Sequence, residues 1–89
     1  MARIAFTSHL RAVGPCDPTP YDGATLAEVL DAVAADYPLL KNYVLDDQGR
    51  VRQHIAIFVD GAMQPRDAAL RLPLTEASNV YVLQALSGG

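Results

Sequence analysis

The stretch TLAEVLDAVAADY, residues 25–37, carries the clearest local signal for structure in this chain. Thr25 and Glu28 have the spacing of a capping box, in which each side chain accepts a hydrogen bond from a backbone N–H that the helix leaves free. Apolar residues then recur every three or four positions, as on the buried face of a helix. They are Leu26, Val29, Leu30, Val33 and Tyr37. Pro38 disfavours the α conformation at the preceding residue, so we expect the helix to end at about Asp36.

An N-terminal hairpin is predicted before this helix. Over residues 3–10, apolar side chains such as Ile4 and Phe6 alternate with small or polar ones, as a half-buried strand requires. Residues 14–20 contain three prolines, which exclude a central strand because proline lacks the backbone donor that a sheet needs. We therefore expect only an irregular edge strand near residues 19–22.

Further strands are predicted after the helix. Residues 51–59 are predicted to form a strand with Ile55, Ile57 and Val59 on one face, and the Asp60-Gly61 dipeptide that follows favours a hairpin turn. A brief strand, residues 62–64, would return alongside it. Residues 80–83 then form a strong strand of β-branched and aromatic residues.

Two connecting segments carry apolar residues without a strand pattern. Residues 39–44 favour one short helical turn. Residues 65–79 mix turn residues with three leucines, Leu70, Leu72 and Leu74, which we expect to fill the core beneath an irregular segment.

The order of these elements predicts an α+β domain. A single main helix is too little to cover both faces of a parallel α/β sheet, so it should pack on one face only. Alternation along the strands assigns the following residues to the other face: Ala5, Thr7, Phe58, Tyr81 and Leu83. Large exposed apolar side chains mark an interaction site, unless both faces are buried or the register is shifted by one residue.

Length and composition limit the range of functions. The chain has 89 residues, 51% hydrophobic and 19% charged, which fits one small globular domain and is too apolar for a disordered segment. Lys and Arg number 7 against 10 Asp and Glu, and this weakly acidic balance argues against nucleic-acid and membrane partners. No apolar run approaches the roughly 20 residues of a membrane span, and no secretory leader is recognised, so we expect a cytoplasmic protein.

Reactive side chains are few. The one cysteine, Cys16, cannot form an internal disulfide, and because His9 and His54 lie far apart we expect neither a zinc site nor a catalytic pair. Residues 46–49 are similar to the start of a calcium loop but lack its remaining ligands, so we interpret them as a turn. Lys41, the sole lysine, is expected to be solvated, the alternative being that its amine receives the carboxylate of another protein.

The chain ends in two glycines, Gly88 and Gly89. Such an end is thin and permissive in φ and ψ, so it can enter a narrow channel and deliver its carboxylate to a distant active site. A carboxylate is a poor electrophile and must be activated, typically as an acyl-adenylate. Because the chain has no G-x-x-x-x-G-K-[ST] loop, we assign the ATP chemistry to a partner. The alternative is a frayed terminus, for which glycine-rich composition is also ordinary.

Several segments, in order along the chain, resemble the MoaD/ThiS group of ubiquitin-like sulfur carriers. They are RIAF (3–6) leading to residues 10–11, TLAEVL (25–30), IFVDG (57–61), LPL (72–74), NVYVL (79–83) and ALSGG (85–89). The resemblance implies a β-grasp fold, with a mixed sheet of four to five strands and one main helix packed on one face. We expect a domain of residues 1–84 and a flexible C-terminal tail of residues 85–89.

The resemblance also implies a sequence of partners. An E1-like adenylyltransferase would activate Gly89 with ATP, a sulfur donor would convert it to a thiocarboxylate, and an acceptor enzyme, such as a synthase large subunit, would take the sulfur. The chain itself would bind no cofactor or metal and would supply no catalytic group. The residues expected to serve these steps are Gly89, the tail residues Leu86, Ser87 and Gly88, and a partner-binding patch of Thr7, Arg11, Phe58, Tyr81 and Leu83. Arg11 is included because it matches a basic position of the family.

The pathway and the final use of the carrier stay open at the level of sequence. Molybdopterin synthesis is the first candidate, and cysteine and thiamine synthesis are the alternatives. Residues 46–52 are longer than in the compact thiamine carriers and look more like those of the relatives that feed molybdopterin or cysteine synthesis. Residues 75–79 are less acidic than the matching turn of many members, and Gln84 and Ala85 stand where many have proline. Two other classes remain, a modifier joined to target lysines and an interaction module whose tail is inert.

Overall fold

The computed structural model describes residues 1–84, and the predicted tail, residues 85–89, lies outside the described residues. The strands are β1 (Ala2–Phe6), β2 (Thr19–Tyr21), β3 (Ile55–Val59), β4 (Ala62–Met63) and β5 (Asn79–Gln84). The helices are α1 (Leu26–Asp36), α2 (Leu40–Val44) and α3 (Arg66–Ala69), with a 3-10 turn at Ser8–Leu10.

The strands form one mixed sheet in the order β2-β1-β5-β3-β4. The first and last strands pair in parallel at its centre, with Phe6 opposite Val82, and the other pairings are antiparallel. On the other side of β5, Ile57 of β3 also lies opposite Val82. The predicted α+β class and the mixed sheet with a helix on one face are confirmed.

Helix α1 packs its apolar face into the core. Its predicted apolar face is buried, with Val29 and Val33 fully inaccessible to solvent. Inward side chains of the sheet, among them Ile4, Phe6 and Val82, belong to the same cluster. Each large apolar side chain buried in this way contributes about 1.5–3 kcal/mol, so the helix–sheet interface is the main source of stability.

The start of α1 is held by two kinds of contact. Thr25 Oγ1 accepts the Glu28 N–H at 3.3 Å, which confirms the predicted cap, and Glu28 Oε1 accepts the Ala24 N–H at 3.1 Å rather than that of Thr25. The Leu26 N–H donates to the Leu72 carbonyl at 3.0 Å. Leu72 is half-buried against the core, as predicted, and its carbonyl also pairs with a backbone N–H that the start of a helix leaves free.

Three differences from the sequence prediction are larger than one residue. Strand β1 ends at Phe6, and Leu10 reaches the core from the 3-10 turn. Strand β3 begins at Ile55 and not at residue 51, because a turn precedes it in which the Ile55 N–H donates to the Arg52 carbonyl at 3.0 Å. Within the segment expected to be irregular, residues 66–69 form α3.

The predicted hairpin turn is confirmed. Asp60 and Gly61 both have positive φ, 52° and 85°, which is the geometry of the tight turn that matches the twist of two antiparallel strands. Asp60 Oδ1 also accepts the Asn79 N–H at 2.9 Å, so the turn is tied to the start of β5. The hairpin β3–β4 therefore has a fixed position against the central strand.

Gly14 provides a test of the core packing, because a Cβ at this position would overlap the ring of Phe6. We expect Gly14→Ala to lower the free energy of unfolding by about 1–3 kcal/mol, the cost of overpacking a core. Chemical denaturation measures it. In a Phe6→Leu background, where the ring is gone, the same change should cost less than it does alone. Equal costs in the two backgrounds would show that Gly14 does not abut the ring.

Candidate functional site

The sheet face opposite α1 carries large apolar side chains. Phe58 of β3 lies directly opposite Tyr81 of β5, and Leu83 follows two residues later on the same face. The alternate residues of β5, Val80 and Val82, belong to the core. Tyr81 keeps 44% of its surface exposed, whereas Phe58 and Leu83 are half-buried.

These side chains line a concave surface, which we call the open-face groove, with a volume of about 430 Å³. Its lining includes Arg3, Ala5, Pro18, Phe58, Tyr81 and Leu83. The residues come from β1, β3, β5 and the segment before β2, so the groove runs across the sheet rather than along one strand. A shallow, wide and apolar surface of this kind suits contact with another protein.

The structure places the predicted patch residues in two groups. Phe58, Tyr81 and Leu83 line the groove, and so does Ala5, although it is almost fully buried. Thr7 lies just beyond β1, outside the groove, with its N–H donating to the Val82 carbonyl at 3.1 Å and its buried hydroxyl lacking a partner among residues 1–84.

Arg11 also lies away from the groove, because it follows the 3-10 turn and is exposed to solvent. Arg3, and not the predicted Arg11, lies at the groove. Among residues 1–84, it is the one charged residue of the groove lining. The sequence contained the signal for it, since Arg3 alternates with the buried Ile4 and must therefore point to the open face.

The titratable groups with clearly shifted pKa values lie outside the groove. Partial burial of Tyr21 and its hydrogen bond to Asp36, at 2.9 Å, raise the pKa of the tyrosine to about 12. Backbone N–H groups of Arg50 and Gln48 donate to Asp46 and hold the pKa of its carboxyl below the usual value. The first contact joins β2 to α1, and the second closes the predicted turn at residues 46–49.

The remaining candidates of the sequence are dispersed. Cys16 and His9 are exposed, and His54 packs edge-on against Tyr43 with 5.9 Å between ring centroids. Lys41 pairs with Asp31 at 2.7 Å on the outer surface of the helices. Across residues 1–84, no group of three or more His, Cys, Asp or Glu side chains is arranged to hold a metal ion.

The central strand leads to the tail. Strand β5 ends at Gln84, the last residue that the structure describes, and the predicted tail residues Leu86, Ser87, Gly88 and Gly89 lie beyond it. Tyr81 and Leu83 of the groove therefore belong to the strand that directly precedes residues 85–89 in sequence. None of the helices in the described part of the chain has the length and apolar character of a membrane span.

Fold and family agree in the comparison with known proteins. The five-stranded mixed sheet with its packed helix is a β-grasp, ubiquitin-like fold. The ThiS family model matches residues 16–89, and the chain therefore belongs to the ThiS family. The resemblance to MoaD/ThiS carriers is confirmed, and no curated protein matches the sequence.

Solved structures with the same fold extend over nearly the whole chain. SAMP1 from Haloferax volcanii is 23% identical, with 99% of this chain and 98% of that chain covered and a TM-score of 0.75. A chain of the Amycolatopsis orientalis BexX/CysO complex is 19% identical, with full coverage of both chains and a TM-score of 0.84. Mycobacterium tuberculosis CysO is 19% identical, with 97% and 100% covered and a TM-score of 0.83.

The assignment of the two sheet faces is tested by neighbouring residues of β5. We expect Val82→Ala to lower the free energy of unfolding by about 2 kcal/mol, because it opens a cavity in the core. Tyr81→Ala should change it by less than about 1 kcal/mol, because much of that side chain is already in water. Urea denaturation of both variants measures the difference, and a larger loss at Tyr81 would mean that the open face is part of the core.

Proposed function

We propose that this protein is a sulfur carrier whose C-terminal Gly89 is adenylated and then converted to a thiocarboxylate. The observation that carries the proposal is the ThiS family match, which extends through the Gly88-Gly89 pair to residue 89. The β-grasp domain supports it, since its central strand ends at Gln84, close to the pair in sequence.

The proposed chemistry has two displacement steps. A carboxylate oxygen of Gly89 attacks the α-phosphorus of ATP, and pyrophosphate leaves. Hydrosulfide from a sulfur donor then attacks the acyl carbon, and AMP leaves with the bonding pair and a proton is released, which yields the thiocarboxylate. An E1-like adenylyltransferase supplies the ATP site and the catalytic groups, and the carrier supplies only the reacting carboxylate.

The open-face groove is the proposed docking surface for the activating enzyme and for the acceptor enzyme. Phe58, Tyr81 and Leu83 offer apolar area whose burial drives association. Arg3 adds one positive charge at the groove, which favours a partner with an acidic side chain beside an apolar one. Thr7 and Arg11 lie outside the groove, so we assign them no contact in this docking step.

We assign the sulfur to the synthesis of the molybdenum cofactor, with cysteine and thiamine synthesis as the alternatives. In the first case the acceptor is the large subunit of a synthase, and the carrier acts as the small subunit without a catalytic role. The proposed location is the cytoplasm, where such an enzyme pair would be found. Reconstitution with each class of acceptor distinguishes the pathways.

A second candidate function is a ubiquitin-like modifier. It is favoured by the likeness to SAMP1, which its solved structure describes as a small archaeal modifier protein. Both functions share the adenylate and diverge afterwards, because a lysine amine of a target protein replaces hydrosulfide as the nucleophile. Conjugates of high molecular weight that disappear when Gly89 is deleted would distinguish the modifier from the carrier.

The carrier function is tested by the intact mass of the protein after incubation with its cognate activating enzyme, ATP and sulfide. We expect one oxygen to be exchanged for one sulfur at the C-terminus. Deletion of Gly89 should abolish the exchange while the domain stays folded. The proposal fails when the wild-type mass stays unchanged with every E1-like enzyme tested, although each enzyme preparation converts another carrier to its thiocarboxylate.

Docking is tested by a charge placed in the groove. Phe58→Asp should weaken binding to the activating enzyme by about tenfold or more, because a carboxylate would be desolvated among apolar contacts. Leu39→Asp is the matched control, since Leu39 is 57% exposed and precedes α2, where an acid is tolerated. Calorimetry measures both affinities. Similar losses from the two variants would argue against the groove.

A further inference from the structure

Three elements converge at Gln84, the last residue that the structure describes. Tyr43 of α2 donates a hydrogen bond from its hydroxyl to Oε1 of Gln84 at 3.0 Å, across 41 residues of sequence. Its ring also meets His54 in an edge-to-face contact, with an interplanar angle of 75°. His54 directly precedes β3, and Gln84 is the last residue of β5. Tyr43 therefore contacts both the residue that precedes β3 and the last residue of β5.

The backbone of Tyr43 is held in place by helix α2. Helix α2 has only five residues, yet its Leu40 and Val44 are fully buried in the core. The Tyr43 N–H donates to the Leu39 carbonyl at 3.2 Å, which fixes the backbone at that position. The tyrosine side chain itself is 39% exposed, so its hydroxyl is placed by the helix rather than by burial.

At Gln84, strand β5 has a paired strand on one side only. On one side, β1 ends opposite Val82, and the chain turns away after Phe6. On the other side, Gln84 lies opposite Ile55, the first residue of β3. Along the described part of β5, the side-chain bond to Tyr43 is thus the contact that holds the final residue to a helix.

We propose that Tyr43 is a positioning residue that sets the direction in which residues 85–89 leave the domain. The proposal rests on the proposed function, since direction matters only when Gly89 must enter a partner's active site. Five residues span at most about 17 Å when fully extended, so the orientation of the first peptide unit decides much of where the terminal carbonyl can reach. The hydrogen bond from Tyr43 holds the side chain of Gln84, the residue that precedes that unit.

The hydroxyl can be removed without disturbing the fold. An exposed hydrogen bond adds little to global stability, and Tyr43→Phe keeps the ring and its contact with His54. Tyr21→Phe is the matched control, because it removes another tyrosine hydroxyl bond of similar length, 2.9 Å to Asp36, which joins β2 to α1. Neither variant touches the open-face groove.

The first measurement is backbone order in the free, full-length protein by nitrogen-15 relaxation. We expect Tyr43→Phe to lower the order parameter at Gln84 and leave Val82 unchanged, and Tyr21→Phe to change neither. Gln84→Met, which lacks an acceptor oxygen, should reproduce Tyr43→Phe, whereas Gln84→Glu should retain the order. The double variant Tyr43→Phe with Gln84→Met should be no worse than either change alone.

The second measurement separates docking from delivery. With the activating enzyme, Tyr43→Phe should leave the Kd unchanged, because the groove is intact, and should lower kcat of adenylation roughly two- to tenfold, the effect of losing one hydrogen bond. Unchanged order at Gln84, or an equal loss of kcat in Tyr21→Phe, would overturn the proposal. When wild-type protein is never adenylated, the proposed function fails, and the relaxation data alone still decide whether Tyr43 holds Gln84.

Discussion

The parallel pairing of β1 with β5 is the contact on which the rest of the structure depends. It joins the first and last strands at the centre of the sheet, with Ile4 opposite Val80 and Phe6 opposite Val82. Bringing such distant segments together costs loop-closure entropy, which local structure cannot offset. Burial does offset it, because the inward side chains of both strands enter the same core as the apolar face of α1.

This pairing also produces the open-face groove. Once Val80 and Val82 are committed to the core, strand alternation leaves Tyr81 and Leu83 on the opposite face. Over the described residues, α1 and α2 both belong to the core side, so these apolar side chains stay accessible. The exposure of Tyr81 in this apolar setting is the feature on which the proposed docking surface rests.

Local signals in the sequence were sufficient for the helix and the tight turn. The Thr25 cap, the end of α1 before Pro38 and the Asp60-Gly61 hairpin each depend on a few neighbouring residues, and all are as predicted. The boundaries that depend on distant contacts were wrong. Strand β3 begins late because the Arg52 N–H bonds to the Val44 carbonyl at 2.8 Å, a contact that no pattern within residues 51–59 could indicate.

The same distinction explains the candidate site. Alternation placed Phe58, Tyr81 and Leu83 correctly because they lie inside regular strands. Thr7, which alternation also assigned to the open face, does not line the groove, because the chain turns into the 3-10 segment one residue later. Arg11 came from the family resemblance and not from geometry. A pattern with a period of two holds only as far as the strand extends, and strand ends are set by tertiary contacts.

A carrier of the proposed kind needs both a docking surface and a C-terminus at a defined distance from that surface. Here both are met by β5, which contributes Tyr81 and Leu83 to the groove and ends at Gln84. Because β5 is the central strand, with partners on both sides for most of its length, the offset between the groove and the strand end is rigid. At its last described residue, Gln84, β5 keeps Ile55 as its strand partner on one side and gains the side-chain hydrogen bond from Tyr43 of α2. In the proposed function, the precision with which Gly89 is delivered therefore depends on how firmly these two contacts hold Gln84.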